Sequence, residues 1–259
     1  MSKQTPDHET ETERDINIGL KDVTYTKQKL SGQVIRFEIA KYDEIYEPTL
    51  KTHPFYQYHD KPFDKERLQF STLPLHVGAF DIGAQNKVIN ILRCPIKVAG
   101  NREIVLPKEH KWLKEFVTFC CIYETSFNKR FEDLYAHITV ERKCVNAGET
   151  QRVGGFHVDG MQGAKFPQKH EIEHSYLWSS TNGTEFCVQP FFVQHIDDSK
   201  YLLFDELCKQ AKEENVYKCL DSNVYIFDPY MIHRSPTYDI LPRLQSGVSY
   251  STEVNHSSE

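Results

Sequence analysis

Two side chains that can hold a metal ion stand two positions apart in the segment GGFHVDG, residues 154–160. Residues i and i+2 of a strand point to the same face, so His157 and Asp159 would present an imidazole and a carboxylate side by side. A third ligand is needed, and His233 is the best candidate because it follows a strong β-like run at 223–227. Two histidines and one carboxylate leave open positions on the metal, which is typical of non-haem Fe(II) oxygenases. Zinc sites more often use His and Cys, and no cysteine stands beside these histidines.

A cation that could hold an anionic cosubstrate stands ten residues after His233. Arg243 opens the run RLQSGVSYSTEV, and the intervening turn SPTYDILP would bring the two strand ends together. A guanidinium binds a carboxylate through two parallel hydrogen bonds and stays charged when it is buried. Fe(II), the Asp159 carboxylate and a dianion such as 2-oxoglutarate sum to one negative charge, which Arg243 would cancel. Strand alternation puts Arg243 on a face with small and polar residues, as a ligand cavity needs, although a strand with its polar side in water would alternate in the same way.

The order and spacing of these parts resemble those of the 2-oxoglutarate/Fe(II)-dependent dioxygenase superfamily, over about residues 137–254. The resemblance implies that His157, Asp159 and His233 bind Fe(II), and that Arg243 binds the distal carboxylate of 2-oxoglutarate. Many members carry Arg-x-Ser, whereas this chain has Arg-Leu-Gln-Ser. The companion of the arginine is therefore either Gln245 or, if a bulge re-aims it, Ser246. The implied reaction uses O₂, hydroxylates a small metabolite or a protein side chain, and releases succinate and CO₂.

Two other functions fit the same residues. A cupin-like metal enzyme would use the three ligands without 2-oxoglutarate and would not need Arg243. A non-catalytic interaction protein on an oxygenase fold would need neither the metal ligands nor Arg243. Three polar residues before the metal segment, Arg142, Asn146 and Arg152, could contact the cosubstrate or substrate, although solvated strand-edge residues are the simpler interpretation. His170 and His174, in PQKHEIEH, indicate either a lid over the site or a second metal site.

The pattern of apolar residues predicts a mainly β fold with flanking helices (α+β). The resemblance makes this a double-stranded β-helix, or jelly-roll, core with an N-terminal extension of helices and strands. Helical spacing appears around 112–121, and a second helix is predicted at 204–215. The strand candidates are 34–39, 75–83, 86–100, 137–145, 154–160, 173–180, 184–193, 223–232 and 243–254. We expect a disordered tail at 1–15 and one oxygenase domain at 16–259, with its catalytic core at about 137–254.

Composition narrows the class of protein. The 259 residues carry a formal net charge of −6 and show no basic stripe, which disfavours a nucleic-acid partner. The seven cysteines form no C-x-x-C pair, and the polar N-terminus does not have the form of a secretory signal. No apolar run reaches the roughly 18 residues of a membrane-spanning helix. These features predict an intracellular protein, cytoplasmic or nuclear, with free thiols and no membrane partner.

Overall fold

The structure is a computed structural model. It describes residues 33–35, 63–83, 88–128, 130–152, 154–161, 172–197, 200, 202–238 and 243–253. The predicted tail at 1–15 and positions 36–39 of the first predicted strand lie outside the described residues, as does His170. No helix of the described part is long and apolar enough to cross a membrane.

The described chain is mainly β. Its strands are β1 Gln33–Ile35, β2 Leu75–Ala79, β3 Ile89–Lys97, β4 Ile104–Leu106, β5 Tyr135–Val145, β6 Ile172–Ser179, β7 Glu185–Cys187, β8 Val216–Lys218, β9 Asn223–Phe227, β10 His233–Arg234 and β11 Arg243–Glu253. Its α-helices are α1 Lys114–Phe127 and α2 Leu203–Gln210. Short 3-10 helices lie at Lys65–Gln69, Lys108–Leu113, Phe131–Asp133 and Glu213–Asn215. The predicted helix 204–215 is therefore broken: α2 ends at Gln210, and a separate 3-10 turn follows.

Two antiparallel sheets position the candidate site. The large sheet has the order β2-β9-β6-β11-β5-β3, and the small sheet has the order β10-β7-β8. The strand β11 pairs with β5 over its whole length and with β6 on its other side. Isolated bridges from Thr150 to Thr237 and from His157 to His233 add a fourth, broken strand beside β10. The strand predicted at 154–160 is thus reduced to single-residue bridges, because Asp159 and Gly160 already belong to a turn.

The larger core lies between the large sheet and α1. Alternate residues of β5, namely Ala136, Ile138 and Val140, are buried in this core, while their neighbours in sequence are half-exposed. Helix α1 contributes Phe116, Val117, Cys120 and Cys121 to it. Tyr176 and Trp178 of β6 also lie there. Packing of apolar area against one face of the sheet leaves the other face of β5 free to line the space between the sheets.

A second core covers the outer side of the small sheet. Phe156, Val158 and Ile232 are buried in it beneath Leu203 and Leu207 of α2. The guanidinium of Arg234 lies 4.4 Å from the ring centroid of Phe156. Since residues 156, 158 and 232 point into this core, the intervening ligand candidates point to the opposite side, toward the large sheet.

A buried polar network joins α1 to β6. The Glu124 carboxylate accepts hydrogen bonds from His174 Nδ1 at 2.9 Å, Asn128 Nδ2 at 2.6 Å and Tyr176 OH at 2.9 Å. Burial raises the pKa of Glu124, but the His174 charge and these hydrogen bonds outweigh burial and leave the pKa below its usual value. The prediction that His174 belongs to a lid or a second metal site is wrong: its side chain is 1% exposed, and it belongs to β6.

Candidate functional site

The site begins with a backbone pairing between two histidines. His157 N donates to His233 O, and His233 N donates to His157 O, both at 2.9 Å. The two ring centroids lie 4.5 Å apart. Asp159 lies two residues further on, and its Oδ1 is 3.6 Å from His233 Nε2. The structure therefore brings together the three side chains that the sequence predicts as metal ligands.

The backbone also fixes which ring nitrogen faces the centre of the site. His157 Nδ1 lies 3.0 Å from Gly155 O, and His233 Nδ1 lies 2.9 Å from Met231 O. A carbonyl oxygen can only accept, so each Nδ1 carries the proton and each Nε2 keeps its lone pair. Metal-bound histidines are commonly oriented by such a bond from the other ring nitrogen. Both imidazoles are thus held in the tautomer that a metal requires.

His233 is packed so that it stays neutral. Its side chain contacts the rings of Phe186 and Phe227, with centroids 5.4 and 5.0 Å away. Burial and the neighbouring His157 lower the pKa of His233 to about 4, although Asp159 acts in the opposite direction. In the neutral ring Nε2 keeps a lone pair, and this nitrogen lies 3.6 Å from Asp159 Oδ1. A divalent cation between the two groups would accept electron pairs from both.

The donor set fits Fe(II), since imidazole nitrogen suits iron and a carboxylate completes a facial triad. The side chains are not closed around one point: among the described residues, no group of three or more His, Cys, Asp or Glu side chains is arranged to hold one ion. Two features support these residues as ligands. A backbone carbonyl orients each imidazole, and His233 Nε2 lies close to Asp159 Oδ1.

Ser175 of β6 was not identified from the sequence, and it links the two sheets at this point. Its Oγ donates to Asp159 Oδ2 at 3.0 Å, and the residue is 4% exposed. Oδ1, the other oxygen, is the one that faces His233. The serine therefore orients the carboxylate so that Oδ1 is the oxygen offered to a metal. The only sequence signal for this role was the position of Ser175 in a predicted strand close after the HxD pair.

Replacing Ser175 with alanine is expected to weaken Co(II) or Fe(II) binding by about tenfold or more, because the Asp159 carboxylate loses its fixed orientation. Isothermal titration of the metal-free protein measures this. Ser175→Thr retains the hydroxyl and should recover most of the affinity. Ser179→Ala, four residues along the same strand, is the matched control. Equal affinity in Ser175→Ala and Ser179→Ala would show that the hydroxyl does not position the ligand.

The predicted cosubstrate residues lie on β11. The register pairs Arg243 with Val145, Gln245 with Lys143, and Ser246 with Arg142. Ser251, which pairs with Ser175, is eight residues from Arg243, or roughly 26 Å along an extended strand. Arg243 thus stands at the start of β11, at the opposite end of this strand from the residue that pairs with Ser175.

A charged cluster of Glu141, Lys143 and Arg152 lies closer than Arg243 to the level of Ser175, because Glu141 pairs with Gly247 in the middle of β11. Lys143 Nζ is 2.8 Å from Glu141 Oε1, and Arg152 Nε donates to Glu141 Oε2 at 3.2 Å. Arg152 N donates to the hydroxyl of Ser235, two residues after His233. The sequence singled out Arg152 only as a weak candidate and did not identify Glu141 or Lys143. The sequence signal for Glu141 and Lys143 was the presence of polar residues at alternate positions of β5.

The two other polar candidates lie elsewhere. Asn146 is exposed, and its Nδ2 donates to Glu149 Oε2 at 3.0 Å within a turn, which agrees with a solvated strand-edge residue. Arg142 stands two residues after Val140 on β5, so it lies on the same face, which packs under α1. Neither residue faces the three ligand candidates.

Comparisons with known proteins give distant likenesses. No protein-family model matches the sequence, and no curated protein matches it. A solved oxidoreductase of the 2OG-Fe(II) oxygenase family from Burkholderia pseudomallei is 15% identical, with a TM-score of 0.35 over 63% of this chain and 67% of that one. EvdO2 from Micromonospora carbonacea var. aurantiaca is 14% identical, with a TM-score of 0.36 over 62% and 76% of the two chains. The non-heme monooxygenase ThoJ, solved as a nickel complex, is 10% identical, with a TM-score of 0.30 over 56% of each chain.

Proposed function

We propose that the chain is an Fe(II)- and 2-oxoglutarate-dependent dioxygenase. In the balanced reaction, substrate C–H, O₂ and 2-oxoglutarate give substrate C–OH, succinate and CO₂. The observation that carries the proposal is the meeting of the three predicted ligands: His233 Nε2 lies 3.6 Å from Asp159 Oδ1, and the rings of His157 and His233 lie 4.5 Å apart. Iron, when bound by these three residues, would supply the redox chemistry with O₂. The substrate that we propose is a small metabolite or a protein side chain.

The order of the strands supports a double-stranded β-helix for this chain. From β5 onward the chain alternates between the sheets: β5 belongs to the large one, the segment 150–157 to the small one, β6 to the large one, and β7 and β8 to the small one. It then returns to the large sheet in β9, to the small one in β10 and to the large one in β11. Such interleaving of two antiparallel sheets is the arrangement of a jelly roll. The ligand candidates lie between the sheets, on segments that this winding brings together.

The protein's own residues would orient the ligands and exclude water. The paired backbone of His157 and His233 fixes the spacing of the two imidazoles, and Ser175 holds one oxygen of Asp159. Phe186 and Phe227 pack on His233 and keep this side of the site apolar. A dry, preoriented ligand set strengthens electrostatic interactions with an anionic cosubstrate.

The first test is an anaerobic titration of metal-free protein with Fe(II) and then with 2-oxoglutarate. We expect a visible charge-transfer band only when both are present. Bound iron without a band would favour the cupin-like enzyme, which does not use 2-oxoglutarate. Failure to bind any divalent metal would instead favour a non-catalytic interaction protein.

Arg243 is proposed to bind the distal carboxylate of 2-oxoglutarate, with Gln245 or Ser246 as its companion. Arg243→Ala should weaken 2-oxoglutarate binding by about tenfold or more, because a charged hydrogen bond contributes about 1.5–3 kcal/mol. Iron affinity should change little. The charge-transfer titration measures both constants, and the matched control is Arg102→Ala, since Arg102 forms an exposed ion pair with Glu132. An unchanged 2-oxoglutarate affinity in Arg243→Ala would remove this residue from the site.

A further inference from the structure

The space between the sheets contains a second group of charges that the three metal ligands do not account for. Gly247 pairs with Ser179 on one side and with Glu141 on the other. Residues paired in neighbouring strands share a face, and Ser175 and Ser179 alternate together on β6. Glu141 and Lys143 therefore lie on the face of the large sheet that carries Ser175, which contacts Asp159.

The cluster has an excess of positive charge. Two cations, Lys143 and Arg152, share the single carboxylate of Glu141, which leaves a net charge of +1. The carboxylate is mostly buried, with its side chain 16% exposed, whereas the side chains of Lys143 and Arg152 are 41% and 49% exposed. Glu141 thus uses both its oxygens to hold the cations in place, while their remaining N–H groups stay accessible. A guanidinium and an ammonium so placed match the geometry of a bound carboxylate.

The side chain of Gln151 fills the space beside the cluster that Gly247 leaves by having no side chain. A Cβ at position 247 would lie only 3.3 Å from Gln151 Oε1. The amide of Gln151 is itself fixed, because its Nε2 donates to Glu141 O at 3.0 Å. Along the strands, the cluster also lies closer than Arg243 to the level of Ser175. Ser179 lies four residues from Ser175, or about 13 Å along the strand, which is half the distance from Ser251 to Arg243.

We infer that Lys143, Glu141 and Arg152 form a carboxylate-binding site that faces the three metal ligands. The inference rests on the proposed function for what the site serves. The carboxylate that it binds belongs to the substrate, because Arg243 is the residue proposed for the distal carboxylate of 2-oxoglutarate. The substrate is then an anionic metabolite or an acidic side chain. An uncharged substrate that leaves the cluster empty does not fit the excess charge.

The test uses the full-length, metal-free chain and two probes of the same shape, butanoate and butanamide, in saturation-transfer NMR. Butanoate should bind and butanamide should not. Arg152→Gln and Lys143→Gln should each weaken butanoate binding by about tenfold, as the loss of one charged hydrogen bond predicts. Glu141→Gln should strengthen it, because it raises the charge of the cluster from +1 to +2. The matched control is Lys209→Gln, on the exposed side of α2.

Competition then identifies the source of the carboxylate. If Fe(II) with 2-oxoglutarate displaces butanoate under anaerobic conditions, the cluster holds the cosubstrate, and the assignment to the substrate is overturned. If butanoate binds alongside saturating 2-oxoglutarate, the cluster holds the substrate. Equal binding of the two probes, or butanoate binding that is unchanged in both cation variants, would overturn the inference. Because the first assay contains no metal, failure of the iron site alone leaves its result unaffected.

Discussion

His233→Ala is expected to lower the Fe(II) affinity of the chain by more than about 100-fold and to abolish succinate release. Replacement of residues that only support metal ligands costs about 10–100-fold, so loss of a ligand should exceed that range. Equilibrium dialysis against Fe(II) under anaerobic conditions gives the affinity. Uncoupled turnover, measured as succinate formed from 2-oxoglutarate in air, gives the second readout.

Two further variants separate loss of a ligand from loss of structure. His233 packs between Phe186 and Phe227, so its truncation also leaves a cavity. Asp159→Asn keeps the volume and the acceptor for Ser175, yet removes the charge, and it should show the same loss of iron. His195→Ala, at an exposed position, should bind iron normally. Retention of full iron affinity by Asp159→Asn would exclude Asp159 as a ligand.

His174→Leu should lower the free energy of unfolding by about 3–5 kcal/mol, since it leaves the Glu124 carboxylate buried without its cationic partner. The carboxylate and the imidazole are 0% and 1% exposed, so water cannot replace the lost interaction. His174 also precedes Ser175 in β6, so the metal affinity should fall as well. Urea unfolding at pH 7 measures the change.

The double variant Glu124→Leu with His174→Leu should be more stable than His174→Leu alone, because no unpaired charge then remains buried. The comparison is with Lys200→Ala, which breaks an exposed pair with Asp197 and should change stability by less than about 1 kcal/mol. If His174→Leu were no more destabilising than Lys200→Ala, the buried pair would not hold α1 to β6.

The same pair sets a direction for the dependence of stability on pH. The pKa of Glu124 is lower in the folded chain than the value of about 4.5 that the free side chain has. Its stabilising contribution is therefore present above about pH 4.5 and is lost as the pH falls through the lower folded pKa. In His174→Leu the carboxyl should take up its proton at a higher pH, so acid unfolding should begin at a higher pH than in the wild type.

The sequence anticipated the ligand set better than it anticipated the segment that carries it. His157, Asp159 and His233 lie together, yet residues 154–160 form a bridge and a turn, because Gly155 has a φ of 93° and Gly160 a φ of 82°. Only long strands with clear alternation, such as β5 and β11, were anticipated over nearly their full length. The alternation of apolar residues shows which face of a strand is buried. It does not show where the chain turns, and the turns here depend on the backbone conformations of glycines.

Contacts between residues far apart in sequence were harder to predict than the turns. Ser175 is 16 residues from Asp159, and His174 is 50 residues from Glu124. Each pair depends on which strands become neighbours, and nothing in a single sequence specifies that β11 lies between β5 and β6. His174 shows the consequence: its Lys- and Glu-rich surroundings suggest a lid or a second metal site, whereas its partner lies on a helix that is remote in sequence.

The position of β11 has a consequence for how the protein is made. This strand forms the seam of the large sheet, since it alone joins β5 to β6. Until residues 243–253 have left the ribosome, β5 and β6 each expose an unpaired edge, and the histidine pair has no completed sheet opposite it. Unpaired edges of this kind invite association with other chains. We therefore expect the nascent chain to depend on holding factors until residues 243–253 have emerged, and a truncation before residue 243 to aggregate rather than to leave a smaller folded protein.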